Sequence, residues 1–370
     1  MACIRSEGIL SNPAEDPLAM HLRNAHYPQA RLIANVDGCR KVAVSRTSAL
    51  LSRTFLTALT AAASWSALAQ DRNITLPVPE LEQMLQSEPL RIVSAEISRP
   101  KAKGDITLRA DVAFGQRPPL QIKLRKAEPG ANTFNNVPRY DIAAYELQKL
   151  LMDAPEYVVP PTAVRMMPLS DLRPYAPSNV RIRATFRGSD DVLCVVQYWL
   201  QDVKAPEDVL DTALFQIDAA YARHVGQLNV FTYLIEHGDS NRGNFLISAA
   251  PAAARVFAID NGVAFASEQS DRGELWKSMR VPRLPTDIVG RLRELTEADL
   301  TSRLSVLAQW ELRDGHYVVV PLGENLDPRN GVRRKDGTVQ MGLTRGEIEG
   351  LWRRVNGLLQ MIVDGKIDTY

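Results

Sequence analysis

The sequence predicts an α+β protein with a β-rich stretch over about residues 90–200, a mainly helical remainder, and a cleft where the two meet. Three observations predict it. Apolar and polar residues alternate over 90–126, apolar residues recur every three or four positions from Leu214 onward, and Lys204-Ala205-Pro206 separates the two patterns. The 370 residues include 45% apolar and 24% charged side chains, enough for a sizeable core in two packed units or one bilobal fold. Lys plus Arg number 44 and Asp plus Glu 43, so no broad charge draws the chain to nucleic acid or an anionic membrane.

The first stretch with a reading is a leader. Between Lys41 and Gln70, Arg46 and Arg53 precede an Ala-rich apolar run that ends in Ala67-Leu68-Ala69. That is the layout of a secretory signal over 42–69, cleaved near Ala69, with 1–41 an upstream segment and translation starting near Val42 or Val44. The run is shorter than the roughly 20 residues of a comfortable span, so cleavage rather than anchoring is expected. The product would be exported, periplasmic or secreted. A buried Ala-rich helix in a cytoplasmic protein is the alternative. Cleavage would leave Cys194 alone, inside VLCVVQYWL, where it reads as a small core residue.

Three antiparallel strands are expected at LRIVSAEI, ITLRADVAF and LQIKLR, followed by a helix from Asp141 to Met152 closed by Pro155 and Pro160-Pro161. Pro168, Pro174 and Pro177 mark a loop over 166–179, and VRIRATFRG and VLCVVQYWL read as two further strands. A long core helix runs from Leu214 and stops at Gly238. NFLI and VFAID suggest a small hairpin, and Thr344 and Glu347 a capping box opening a last helix. The divisions are thus 70–200 and 201–370.

The densest polar cluster follows the long helix: His237-Gly238-Asp239-Ser240-Asn241-Arg242-Gly243-Asn244, then Asp260-Asn261-Gly262. In H-x-D-x-x-x-x-N and D-x-G, one carboxylate can orient a hydroxyl, and an amide and a second carboxylate offer hard oxygen ligands to a divalent ion on nucleotide phosphates. Each piece has a plainer reading. Asp239 and Asp260-Asn261-Gly262 could be turns, and Asp141 a helix N-cap. The order and spacing together favour chemistry.

These residues resemble the protein-kinase-like superfamily, whose catalytic loop is H-R-D-x-x-x-x-N and whose metal motif is D-F-G. LNVFTYLIEHGDSNRGNFL and VFAIDNG look closer to its atypical branches: phosphatidylinositol-kinase-like, HipA-like, Four-jointed and Golgi casein kinase types. KGDITLRADV, LQIKLRKA, DIAAYELQKLL and VVPPTAV follow the same order of phosphate loop, strand lysine, helix and V-P-P turn. The resemblance spans about 90–265 and implies a bilobal kinase-like fold, a β-rich lobe of about five strands plus one helix, and a phosphotransferase using ATP with Mg²⁺ or Mn²⁺ on a hydroxyl acceptor. Asp239 would be the catalytic base. Asn244 and Asp260 would hold the metal, and Lys123 the α and β phosphates.

Asp141 stands where those families carry Glu and would pair with Lys123, with Glu146 as the substitute. D-S-N replaces the usual D-R-H, so Arg242 would supply charge near the γ-phosphate. Lys101 and Lys103 would supplement the phosphate loop, and main chain around Val196–Tyr198, centred on Gln197, would meet the adenine. His237 would support the loop. A pseudokinase, a nucleotide-dependent regulator or an AMP-transferring enzyme would use the same core.

Overall fold

The computed structural model describes residues 72–98, 106–133, 137–178, 180–250, 255–265 and 275–370. The leader and upstream segment, together with Lys101 and Lys103, lie outside the described residues. Among the described residues no helix is long and apolar enough to cross a membrane.

Among the described residues, eight α-helices and four small sheets make up the mixed α/β architecture. After helix α1 (Val78–Gln86) come strands β1 (Leu90–Ile97), β2 (Thr107–Phe114) and β3 (Leu120–Lys126), then α2 (Pro138–Leu151), β4 (Thr162–Pro168), the short α3 (Leu169–Leu172) and β5 (Asp191–Tyr198). The five strands form one antiparallel sheet in the order β1-β2-β3-β5-β4. Every residue of β5 is buried, because the strand has a neighbour on each edge and a layer on each face. Val192, Cys194 and Val196 face Leu81, Met84 and Leu85 of α1, while Leu193 and Val195 face the core that contains Ala143 and Leu147 of α2. Burial pushes the Cys194 thiol up to about 12, as befits a core residue.

The expected strand over 180–188 is not formed. Its place is taken by Thr162–Pro168, which pairs with β5 over seven registered positions. Pro168 is tolerated because β4 is an edge strand. Val180 and Ile182 alternate with exposed Arg181 and Arg183, yet the alternation reflects packing onto the sheet and not a ladder.

Beyond β6 (Val203–Lys204), the expected single helix is two. Helix α4 (Thr212–Ile217) and α5 (Ala219–Leu234) are parted by Asp218, whose carboxylate accepts from the amides of Ala220 and Tyr221 and so caps α5. The hairpin of β7 (Phe245–Ser248) and β8 (Val256–Ala258) forms as expected and joins β6 in a three-stranded sheet. Strand β9 (Arg283–Leu284), α6 (Thr286–Glu294) and α7 (Glu297–Leu304) follow.

The C-terminal part is less helical than expected. Strands β10 (Ala308–Arg313), β11 (His316–Val319), β12 (Val332–Lys335) and β13 (Thr338–Met341) form a second antiparallel sheet, ordered β11-β10-β13-β12. Its two hairpins turn at Asp314-Gly315 and Asp336-Gly337, where all four residues have positive φ. Only the I′ turn requires φ > 0 at both central positions, and Asp-Gly is a favoured dipeptide for it. Helix α8 (Arg345–Val363) opens with the expected capping box at Thr344 and Glu347, and β14 (Asp368–Thr369) runs parallel to β9.

Two polar ties bind the later elements to the first sheet. Arg139 of α2 forks onto Glu347 at 2.6 and 2.8 Å, and the Tyr140 hydroxyl donates to the same carboxylate at 2.5 Å. Asp191 at the start of β5 accepts from the Tyr317 amide at 2.5 Å and sits 2.8 Å from His316 Nδ1. The Asp191 carboxylate raises the His316 pKa above 6.5. A raised folded-state pKa means that the pair stabilises fully below the unfolded value of about 6.5 and that this contribution fades as pH climbs through the folded value. Thermal melts should therefore find His316→Gln more damaging at pH 5.5 than at pH 9, the gap between variant and parent narrowing as pH rises.

Candidate functional site

Residues two apart on a strand share a face, so Lys123 and Arg125 of β3 point together toward α2 while Ile122 and Leu124 enter the opposite core. The structure reassigns the ion pair. Asp141 is met by Arg125, and Lys123 Nζ lies 3.7 Å from Asp260 Oδ1. Arg125 also reaches Asp260 with its other terminal nitrogen, so one buried guanidinium bridges the helix carboxylate and the D-x-G carboxylate. The short Asp side chain explains the change, since the long, planar Arg fork covers the methylene that Asp lacks relative to Glu. Burial pushes the Asp141 carboxyl up, and the adjacent Arg125 charge opposes that shift. Glu146, the other candidate, faces away and pairs with Lys149 and Arg303.

Gly262 packs tightly against this bridge. A Cβ at that position would lie 3.0 Å from Arg125 Nη2 and 3.4 Å from the Asp141 carboxylate. Asp260 itself adopts φ +64°, a left-handed conformation that Asp tolerates better than most residues, so the strained position in D-N-G is the carboxylate and not the glycine.

The loop after α5 is held by its own amides. The Gly238 amide donates to the Val263 carbonyl at 2.9 Å, which ties the H-x-D loop to the D-x-G segment. Asn241 Nδ2 donates to Asp239 Oδ1 at 2.9 Å, and Asn244 Nδ2 donates to the Asp239 carbonyl at 2.7 Å. Asn241, in the third position of D-S-N, thus orients the carboxylate of Asp239, a role the sequence did not assign. Arg242 does not project toward the phosphate region. Its Nη1 donates to the Glu207 carbonyl at 2.9 Å, which holds the loop to the β6–α4 connection. His237 is fully buried against Phe245, with both ring nitrogens lacking a hydrogen-bond partner among the described residues. Burial drives its pKa down to about 4, which keeps the ring neutral beside Asp239 and suits a packing role.

A cleft of about 550 Å³ gathers four of the expected residues. Lys123, Gln197, Asn244 and Asp260 all line it, with Ser98 and Leu200. The main chain of Val196 and Gln197 is paired on both sides, and the Tyr198 amide donates to the Pro161 carbonyl at 2.8 Å. The Gln197 side chain donates its Nε2 to Thr162 Oγ1 at 2.9 Å. Past the strand, the amides of Trp199 and Gln201 donate to Gln121 and Asn73, and the Trp199 and Gln201 carbonyls accept from side chains. The N–H and C=O of Leu200, three positions beyond Gln197, have no partner among the described residues.

As to a divalent ion, Asn244 and Asp260 offer one amide and one carboxylate oxygen on the same cleft wall, and no group of three His, Cys, Asp or Glu forms a metal cage among the described residues. Two protein oxygens suit Mg²⁺, which keeps waters and takes substrate phosphates as its remaining ligands.

The two basic residues of β3 should separate in experiment. Arg125→Met removes the partner of a buried carboxylate and should cost about 3–5 kcal/mol in urea denaturation, whereas Lys123→Met, at the cleft wall, should cost under about 1 kcal/mol. Gly262→Ala should resemble Arg125→Met in sign, since the new methyl presses on the same guanidinium. No family model matches the chain, and no curated protein matches it.

Proposed function

We propose that the protein is an ATP-dependent phosphotransferase of kinase-like, bilobal architecture, the five-stranded sheet with α2 forming one lobe and the elements after residue 201 the other. One observation carries the reading: Lys123 from a strand, Asn244 from the loop after α5 and Asp260 after β8 converge on one cleft, with Asp239 bonded to Asn244 and Leu200 offering unspent main chain. Leu200 would take the adenine edge through its N–H and C=O, and Lys123 the α and β phosphates. Asn244 and Asp260 would hold Mg²⁺ or Mn²⁺, which neutralises phosphate charge when bound. Asp239, oriented by Asn241, would accept the proton of the acceptor hydroxyl as its oxygen bonds to the γ-phosphorus and the bond to the β-phosphate oxygen breaks, releasing ADP.

A second reading, a nucleotide-dependent regulator without turnover, draws on a different observation. Asp260 is engaged by both Arg125 and Lys123, and Arg242 is turned to a carbonyl, so the cleft carries less free charge than a transfer site uses. AMP transfer would use the same groups with the nucleotide reversed.

Incubation of the protein with Mg²⁺ and ATP labelled at the α or γ position separates the three. Phosphotransfer predicts γ label on an acceptor or on the protein itself, with Asp239→Asn lowering the rate about 100-fold or more and Asp260→Ala abolishing metal-dependent turnover. Binding by calorimetry with no label transferred supports the regulator, and α label supports AMP transfer. Wild-type transfer by Asp260→Ala would overturn the assignment.

A further inference from the structure

The connection between β4 and β5 carries a second feature, distant from the cleft. Leu172 and Ile182 are buried in the core on the α1 face of the sheet, and the Tyr175 hydroxyl donates to the Ile92 carbonyl of β1 at 3.4 Å, so this connection is pinned at several points. The Val180 amide closes a turn on the Pro177 carbonyl at 2.9 Å. Between these anchors lies a recess of about 480 Å³. Arg173, Arg181 and Arg183 line it with Ser178, and among the described residues no carboxylate does.

The three guanidinium groups have no hydrogen-bond or ion-pair partner among the described residues, whereas Arg125, Arg139, Arg223, Arg291 and Arg303 are all paired. Like charges gathered around a concavity without a counter-charge repel one another, and a bound anion relieves that repulsion. The flat guanidinium fork matches phosphate oxygens two at a time, and three forks exceed what a single carboxylate can satisfy.

We infer that this recess binds a compact phosphorylated small molecule. Its concavity and small volume suit a soluble ligand and not the flat face of a membrane. The site is separate from the nucleotide cleft: Asp191 and Tyr198 are at opposite ends of β5, roughly 20 Å apart at about 3.3 Å per residue. The inference stands whether or not the cleft performs phosphotransfer.

Calorimetry of the full chain with pyrophosphate at 0.1 M salt tests it, with phosphatidylcholine vesicles containing phosphatidic acid as a second probe. Saturable pyrophosphate binding is expected to survive Lys123→Met, which impairs the cleft, and to weaken tenfold or more in Arg181→Gln/Arg183→Gln. Arg173→Lys, which keeps the charge and loses the fork, should weaken it severalfold and guards against a folding defect in the double variant. Binding lost in Lys123→Met, binding unchanged in the arginine variants, or binding to vesicles alone would overturn the proposal.

Discussion

The Arg125 guanidinium, 2% exposed and held between Asp141 and Asp260, is the contact on which the proposed site depends. A buried charge of this kind is costly unless its partners are fixed, so the strand, α2 and the segment after β8 must arrive together for any of them to be stable there. Gly262 permits the approach by having no side chain, and the left-handed turn at Asp260 aims its carboxylate back at β3. The result sets Lys123 beside the cleft with the helix acid already satisfied by its neighbour. A division of labour follows in which one basic residue organises the fold and the other faces the cleft.

The rest of the molecule supports that arrangement from two sides. The Arg139–Glu347 fork anchors α2 to the cap of α8, and Asp191 anchors β5 to the β10–β11 hairpin through Tyr317 and His316. Both ties reach elements more than 100 residues later, and the first limits how α2, and with it Asp141, can shift. The H-x-D loop is fixed separately, through Asn241, Asn244 and the Gly238–Val263 hydrogen bond.

Strong periodicity and local chemistry were legible in the chain. The strands LRIVSAEI, ITLRADVAF and LQIKLR, the β7–β8 hairpin and the Thr344–Glu347 capping box appear as expected, because alternation and capping are set by neighbours a few residues apart. Thr162–Pro168 was hidden by its flanking prolines, which an edge position tolerates. The four-stranded C-terminal sheet announced itself only through Asp314-Gly315 and Asp336-Gly337, a hairpin signal that the polar residues of its short strands obscured. Asp218 split a continuous apolar pattern because a capping carboxylate ends one helix and starts the next without disturbing the buried face.

Residue types and spacing by themselves marked Asp239, Asn244 and Asp260 as candidates, and the resemblance to the kinase-like superfamily added Lys123 and Asp141. Only the tertiary structure decided their partners. It gave Asp141 to Arg125, turned Arg242 to a backbone carbonyl, and left the Leu200 N–H and C=O without a partner among the described residues. The reason is physical: a one-dimensional pattern specifies what a group can donate, accept or neutralise, while the length of a side chain and the competition among nearby partners settle what it does, and both are properties of the packed chain.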